Sequence, residues 1–234
     1  MLKKLCMTFA VLAAIVALGI ILGVQADACY PDDFHNMTDH IDVSENIEAR
    51  KAVQDKVHEL ANCARRFGYA ESSPCIQYCK KIWDDANEEI KQFQALSAYT
   101  YEDIMCFTNV VFGESGLTGI DSLMQETALI AKNHLDMGLK NTIKELLCMT
   151  LPSGYYVWYP PYSTIEYANQ QMALHPQEYQ RAHENVIIAL SGAMEYEVPS
   201  NVIYADTQPH GSAIWKTYSV NTGYYLSTVY LCFA

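Results

Sequence analysis

Residues 100–135 read TYEDIMCFTNVVFGESGLTGIDSLMQETALIAKNHL, and they decide how the rest of the chain is understood. Thr100 stands three residues before Asp103, and Ile104, Phe107 and Val111 then recur on one helical face. That spacing predicts a capped, half-buried helix. Its pattern runs out at Gly113 and Gly116, which places Glu114 at or just past the C-terminal end. Unpaired carbonyls there give a negative potential, which favours a proton on the carboxyl. Burial among Val110, Val111 and Phe112 would act in the same direction, since desolvation disfavours the charged form. A carboxyl that holds its proton near neutral pH suits general acid catalysis. The plainer expectation for a glutamate between glycines is a solvated loop residue. In the following helix, Asp121 is expected to cap the start, and Glu126 shares a face with Asn133 two turns later.

Upstream, residues 44–67 carry Ile47, Ala52 or Val53, Val57, Leu60 and Ala64 at helical spacing behind a Ser44 cap. Residues 75–96 repeat the pattern through Ile76, Cys79, Ile82 or Trp83, Ala86, Ile90 and Phe93, with Gly68 and Pro74 as punctuation between. Two helices joined by a short loop predict a helical hairpin, within a region spanning residues 29–97. Cys63, Cys75 and Cys79 lie near its turn, so a bridge from Cys63 across the hairpin is one expectation. A zinc site lacks a full tetrahedral ligand set, and no metal is expected.

The N-terminus reads differently. Lys3 and Lys4 precede an uncharged apolar stretch from Leu5 to Val24, followed by Ala26-Asp27-Ala28 and Cys29. Residues 1–28 are therefore expected to be a signal peptide or a membrane anchor, and length alone leaves both open. The small-residue pattern favours cleavage, while Cys29 admits a lipid-anchor reading. Either way the chain is expected to be exported, extracellular or wall-associated, with membrane attachment through residues 5–24 or Cys29 as the alternative to release. Without Cys6, seven of the eight cysteines remain, an odd number that cannot all pair within one chain.

A chain of 234 residues, half of them hydrophobic, suffices for one sizeable core and a smaller attachment. The net charge of −12 argues against nucleic acid, whose phosphates would be repelled. Residues 154–171, GYYVWYPPYSTIEYANQQ, pack five aromatics between Tyr155 and Tyr162. Such rings stack on sugars while their hydroxyls bond sugar hydroxyls, so Tyr155, Tyr156 and Trp158 are candidates for a glycan-binding wall. Tyrosines covering a core edge behind Pro160-Pro161 would look the same. Cys106 and Cys148 sit inside apolar helical patterns, where thiols are usually inert, which weakens a Cys-His peptidase reading with His134, His175, His183 or His210.

Four landmarks in order carry a family resemblance over residues 98–234. VVFGESG followed by SLMQETALIAKNHL resembles the start of the SleB-type cell wall hydrolases, the spore cortex-lytic and related wall enzymes. Glu114 matches that family's acid and Asn133 its asparagine, with His134 where an arginine is usual. TIKELLCMTLPSGYYVW resembles the segment leading to a Gly-Gln-aromatic turn, with Tyr155 in place of the glutamine. ALSGAMEYEVPSNVIYA resembles the late helix and short strand, and LSTVYLCFA the closing strand, where Ser227, Thr228 and Val229 replace a frequent Gly-Asn-His.

The resemblance implies an α+β, mainly helical fold, a lysozyme-like two-lobed catalytic domain preceded by the hairpin. It also implies peptidoglycan cleavage of the lytic transglycosylase type. Most glycosidases flank the scissile bond with two carboxylates. A transglycosylase manages with one, because the substrate's own hydroxyl closes an anhydro ring. Glu114 would then be the catalytic acid and base, with Tyr155, Tyr156, Trp158, Asn133 and Glu126 as substrate-binding residues. The glycan strand is the expected partner, no cofactor is called for, and a second carboxylate at Glu126 is the variant mechanism. The rival expectation is a degenerate domain that only binds glycan or a protein.

Overall fold

The computed structural model describes residues 42–150, 154, 158–194, 197–206, 208, 209, 211–221 and 226–233. The apolar segment 5–24, Cys29, Tyr155, Tyr156 and His210 lie outside the described residues. Among the described residues no helix is long and apolar enough to cross a membrane. The chain divides into two compact units, with the division after Lys91.

The first unit is the hairpin. Helices α1 (Val43–Arg66) and α2 (from Pro74, ending at Leu96) match the predicted periodicities. Their contact is made by Val57 and Ala61 from one helix and Cys79 from the other, flanked by Leu60 and Ile82. Arg50 Nε donates to Glu89 Oε2 at 2.7 Å across the pair, and Gly68 at φ 81° takes the left-handed step that reverses the chain. Ser44 lies inside α1 rather than before it, because the helix starts one residue earlier.

The second unit is mainly helical with a small sheet. Helix α3 (Tyr101–Ser115) opens with the expected capping box: the Thr100 side chain accepts from Asp103 N–H, and Asp103 accepts from Thr100 N–H. Every residue from Ile104 to Phe112 is buried, so the helix is covered all round rather than on one face. Helices α4 (Asp121–Asp136) and α7 (Pro176–Leu190) pack on α3 and on each other. The short helices α5 (Ile143–Leu147) and α6 (Ile165–Leu174) start at Thr142 and Thr164, whose side chains accept from the backbone N–H three residues on. Between these two, Pro160–Ser163 form a single 3₁₀ turn.

Strands β1 (Val202–Asp206), β2 (Ile214–Asn221) and β3 (Leu226–Phe233) form an antiparallel sheet in the order β1-β3-β2. The register slips between Val202 and Tyr204 and between Ile214 and Lys216. Strand β1 lies against α4. The Asn133 side-chain amide joins them by donating to the Pro199 and Val202 carbonyls at 3.0 and 2.9 Å. The α+β, mainly helical class expected from the sequence is the observed one.

Candidate active site

Glu114 lies in the last turn of α3, as the sequence implied, but its side chain is exposed. The expected burial among Val110, Val111 and Phe112 is not there: those three point into the core, and Glu114 leaves it. What the carboxylate gains instead is a partner 48 residues away. The Tyr162 hydroxyl donates to Glu114 Oε1 at 3.1 Å.

Tyr162 reaches that position because the neighbouring residue has no side chain. A Cβ at Gly113 would lie 2.1 Å from Tyr162 Oη and 2.2 Å from Cζ, so the ring occupies the space that any other residue would fill. The 3₁₀ turn is fastened from below by Asn109, which is fully buried on α3. Its amide donates to the Tyr162 and Thr164 carbonyls at 2.8 and 3.1 Å, and its carbonyl accepts from the Tyr179 hydroxyl at 2.6 Å. An unsatisfied buried amide is costly, so this fully bonded set holds one geometry. Tyr179 packs in turn on Phe112, with ring centroids 5.4 Å apart.

Burial first, and the Glu114 charge second, raise the Tyr162 hydroxyl far above the ordinary phenol range, so it stays a donor. The same two causes, burial leading, push Tyr167 up to about 12. Tyr159, Tyr162 and Tyr167 form a mutual edge-to-face cluster with centroids 5.2 to 6.4 Å apart. Tyr159 is its open member, 57% exposed. The aromatic density at 155–162 pointed to this segment, but nothing in the sequence distinguished Tyr162 and Tyr159 from their neighbours.

The other nominated residues are placed elsewhere. Trp158 is 8% exposed, with its ring against His134 rather than on an open wall. Asn133 spends both amide hydrogens on backbone carbonyls, which leaves it a joint between α4 and β1 rather than a ligand for sugar. Glu126 is 0% exposed. Lys216 Nζ donates to its Oε1 at 2.6 Å, and the Tyr218 hydroxyl to its Oε2 at 2.7 Å. Lys216 also sits over the Tyr218 ring, 4.8 Å from the centroid. That cluster fastens β2 to α4 and covers the carboxylate completely, so Glu126 does not stand as a second carboxylate open to substrate. Asp121 is the first residue of α4 and caps nothing; it accepts from Arg181 Nε at 2.7 Å and from Asn185 Nδ2 at 3.0 Å on α7.

The cysteines divide: Cys148, expected inside an apolar helix, instead follows α5 and is exposed, with its thiol 3.6 Å from Ser163 Oγ. Cys63, Cys75 and Cys79 are free thiols, so the bridge across the hairpin is not formed. Cys63 is exposed, off the Val57-Ala61-Ala64 stripe that faces the core. Burial pushes the Cys106 thiol up to about 12, the opposite of what a nucleophile needs. A cavity of about 290 Å³ in the hairpin is lined by Val57, Ala61, Arg65, Cys79 and Trp83 among others, and holds none of the nominated residues. Among the described residues no group of three or more His, Cys, Asp or Glu is placed to hold a metal ion.

No family model, no curated protein and no solved structure matches the chain.

Proposed function

We propose that the chain is an exported peptidoglycan-cleaving glycosidase of the lytic transglycosylase type, with a lysozyme-like catalytic domain and Glu114 as its single acid and base. The observation that carries this reading is the pairing of an exposed helix-end carboxylate with a buried tyrosine hydroxyl, 3.1 Å apart and set by a bonded network beneath. Protonated Glu114 gives its hydrogen to the glycosidic oxygen as the bond breaks. The resulting carboxylate then takes the proton of the attacking sugar hydroxyl as the anhydro ring closes. Tyr162 keeps the carboxyl in place between those steps, which is where orientation contributes most. Tyr159, the exposed ring of the cluster, supplies a face on which a sugar can stack.

The test is mass analysis of muropeptides released from purified sacculi by the full chain and by Glu114→Gln. Anhydro ends released by the first and not by the second support the reading. New reducing ends would make the enzyme a hydrolase, and no release from either would leave the domain a binder. One observation favours the binder: Glu114 is exposed rather than enclosed in a dry groove.

A further inference from the structure

His134 and Trp158 meet edge to face, with centroids 5.7 Å apart and planes at 77°. They are 6% and 8% exposed. A carbonyl can only accept, so the 2.6 Å contact of His134 Nε2 with the Ile203 carbonyl fixes the ring proton on Nε2. Burial disfavours a second proton, which leaves Nδ1 a bare acceptor. Neither that nitrogen nor the Trp158 indole N–H has a hydrogen-bond partner among the described residues, and both atoms are sealed from solvent.

Buried polar atoms are rarely left in this state. Here the two orphans are complementary, one donor and one acceptor, on rings that touch. A carbonyl or carboxylate could accept from the indole but could not donate to the imidazole, and an ammonium could donate but not accept. A hydroxyl does both. The sealed position of the two nitrogens restricts that hydroxyl to the smallest molecule that carries one, because a sugar would need an open approach to them.

We infer that His134 and Trp158 together hold one buried water molecule, which accepts from the indole N–H and donates to His134 Nδ1. This water joins the last turn of α4 to the segment entering the 3₁₀ turn, while the other ring nitrogen of His134 bonds the Ile203 carbonyl on β1. The inference is independent of what Glu114 does.

The experiment is nuclear magnetic resonance on the full chain, labelled at tryptophan indole and histidine ring nitrogens. The indole signals of Trp83, Trp158 and Trp215 are assigned by single substitutions to Phe. The expected result is a direct dipolar contact between a long-lived water and the Trp158 indole proton in the ligand-free protein. In Trp158→Phe, which keeps a ring in place, the His134 Nδ1 resonance should move toward that of an unbonded acceptor. An indole proton with no water contact overturns the assignment. So does a contact that appears only when a chito-oligosaccharide is added, which would make the hydroxyl a sugar's. If the variant does not fold, the wild-type measurement decides alone.

Discussion

The Tyr162 hydroxyl meets Glu114 by lying across Gly113, so the position beside the carboxylate lacks a side chain in order that its partner can be present. Gly113→Ala should therefore damage the site without touching either member. A methyl 2.1 Å from Tyr162 Oη forces the ring aside, and overpacking of this kind costs about 1–3 kcal/mol. Urea unfolding should show that loss, and if the proposed chemistry holds, sacculus clearing should fall with it.

Tyr162→Phe separates the hydroxyl from the ring. Packing of the tyrosine cluster is retained, so stability should drop by only about 1 kcal/mol, the net worth of one hydrogen bond. If the proposed chemistry holds, kcat should fall while KM for a soluble glycan changes little, because the carboxyl loses orientation and not substrate contact. A rise in KM alone would point to a binding role for the hydroxyl.

Asn109→Leu tests the fastening beneath. Three bonded partners, the Tyr162 and Thr164 carbonyls and the Tyr179 hydroxyl, would lose their mate at once. Leaving buried groups unsatisfied should cost about 3 kcal/mol or more, read as a lower urea midpoint at unchanged slope.

Lys216→Met should expose the cost of the sealed Glu126. Breaking a fully buried pair costs about 3–5 kcal/mol, and the 38% exposure of the Lys216 side chain argues for about 2 kcal/mol here. The double variant Glu126→Gln with Lys216→Met should be more stable than Lys216→Met alone, a comparison that thermal unfolding can make.

Acid should destabilise the fold through His183. Burial brings its imidazole down to about 4 from an ordinary 6.5, so the unfolded chain binds the proton more readily. Stability is therefore full above pH 6.5 and lost as pH falls toward 4, by about 3 kcal/mol over the whole window at 1.36 kcal/mol per unit. His134 is shifted in the same direction, by burial. Urea midpoints from pH 7 to pH 4 should show the decline, and His183→Asn should flatten it.

What the sequence made legible was local. Thr100 and Asp103 announced their own capping box, and the hairpin helices start and stop within a residue or two of their periodic patterns. Glu114 was placed at the end of its helix for the same reason. Its exposure is the plainer of the two expectations for it; the burial expected among Val110, Val111 and Phe112 failed because α3 is buried on all sides up to Phe112 and its apolar run therefore has no face to extrapolate. The partners were not legible either: Tyr162 to Glu114, Lys216 to Glu126 and Asn133 to Val202 span 48, 90 and 69 positions. Such pairs are made by packing, and no short window of sequence records them.

The 3₁₀ turn has one more implication. Begun by Pro160-Pro161 and pinned by Asn109, it presents the Tyr159 ring braced edge to face against Tyr162 and Tyr167. Any guest that settles there finds its platform set in advance, so the entropic toll of ordering the host is largely absent, and calorimetry should record it so.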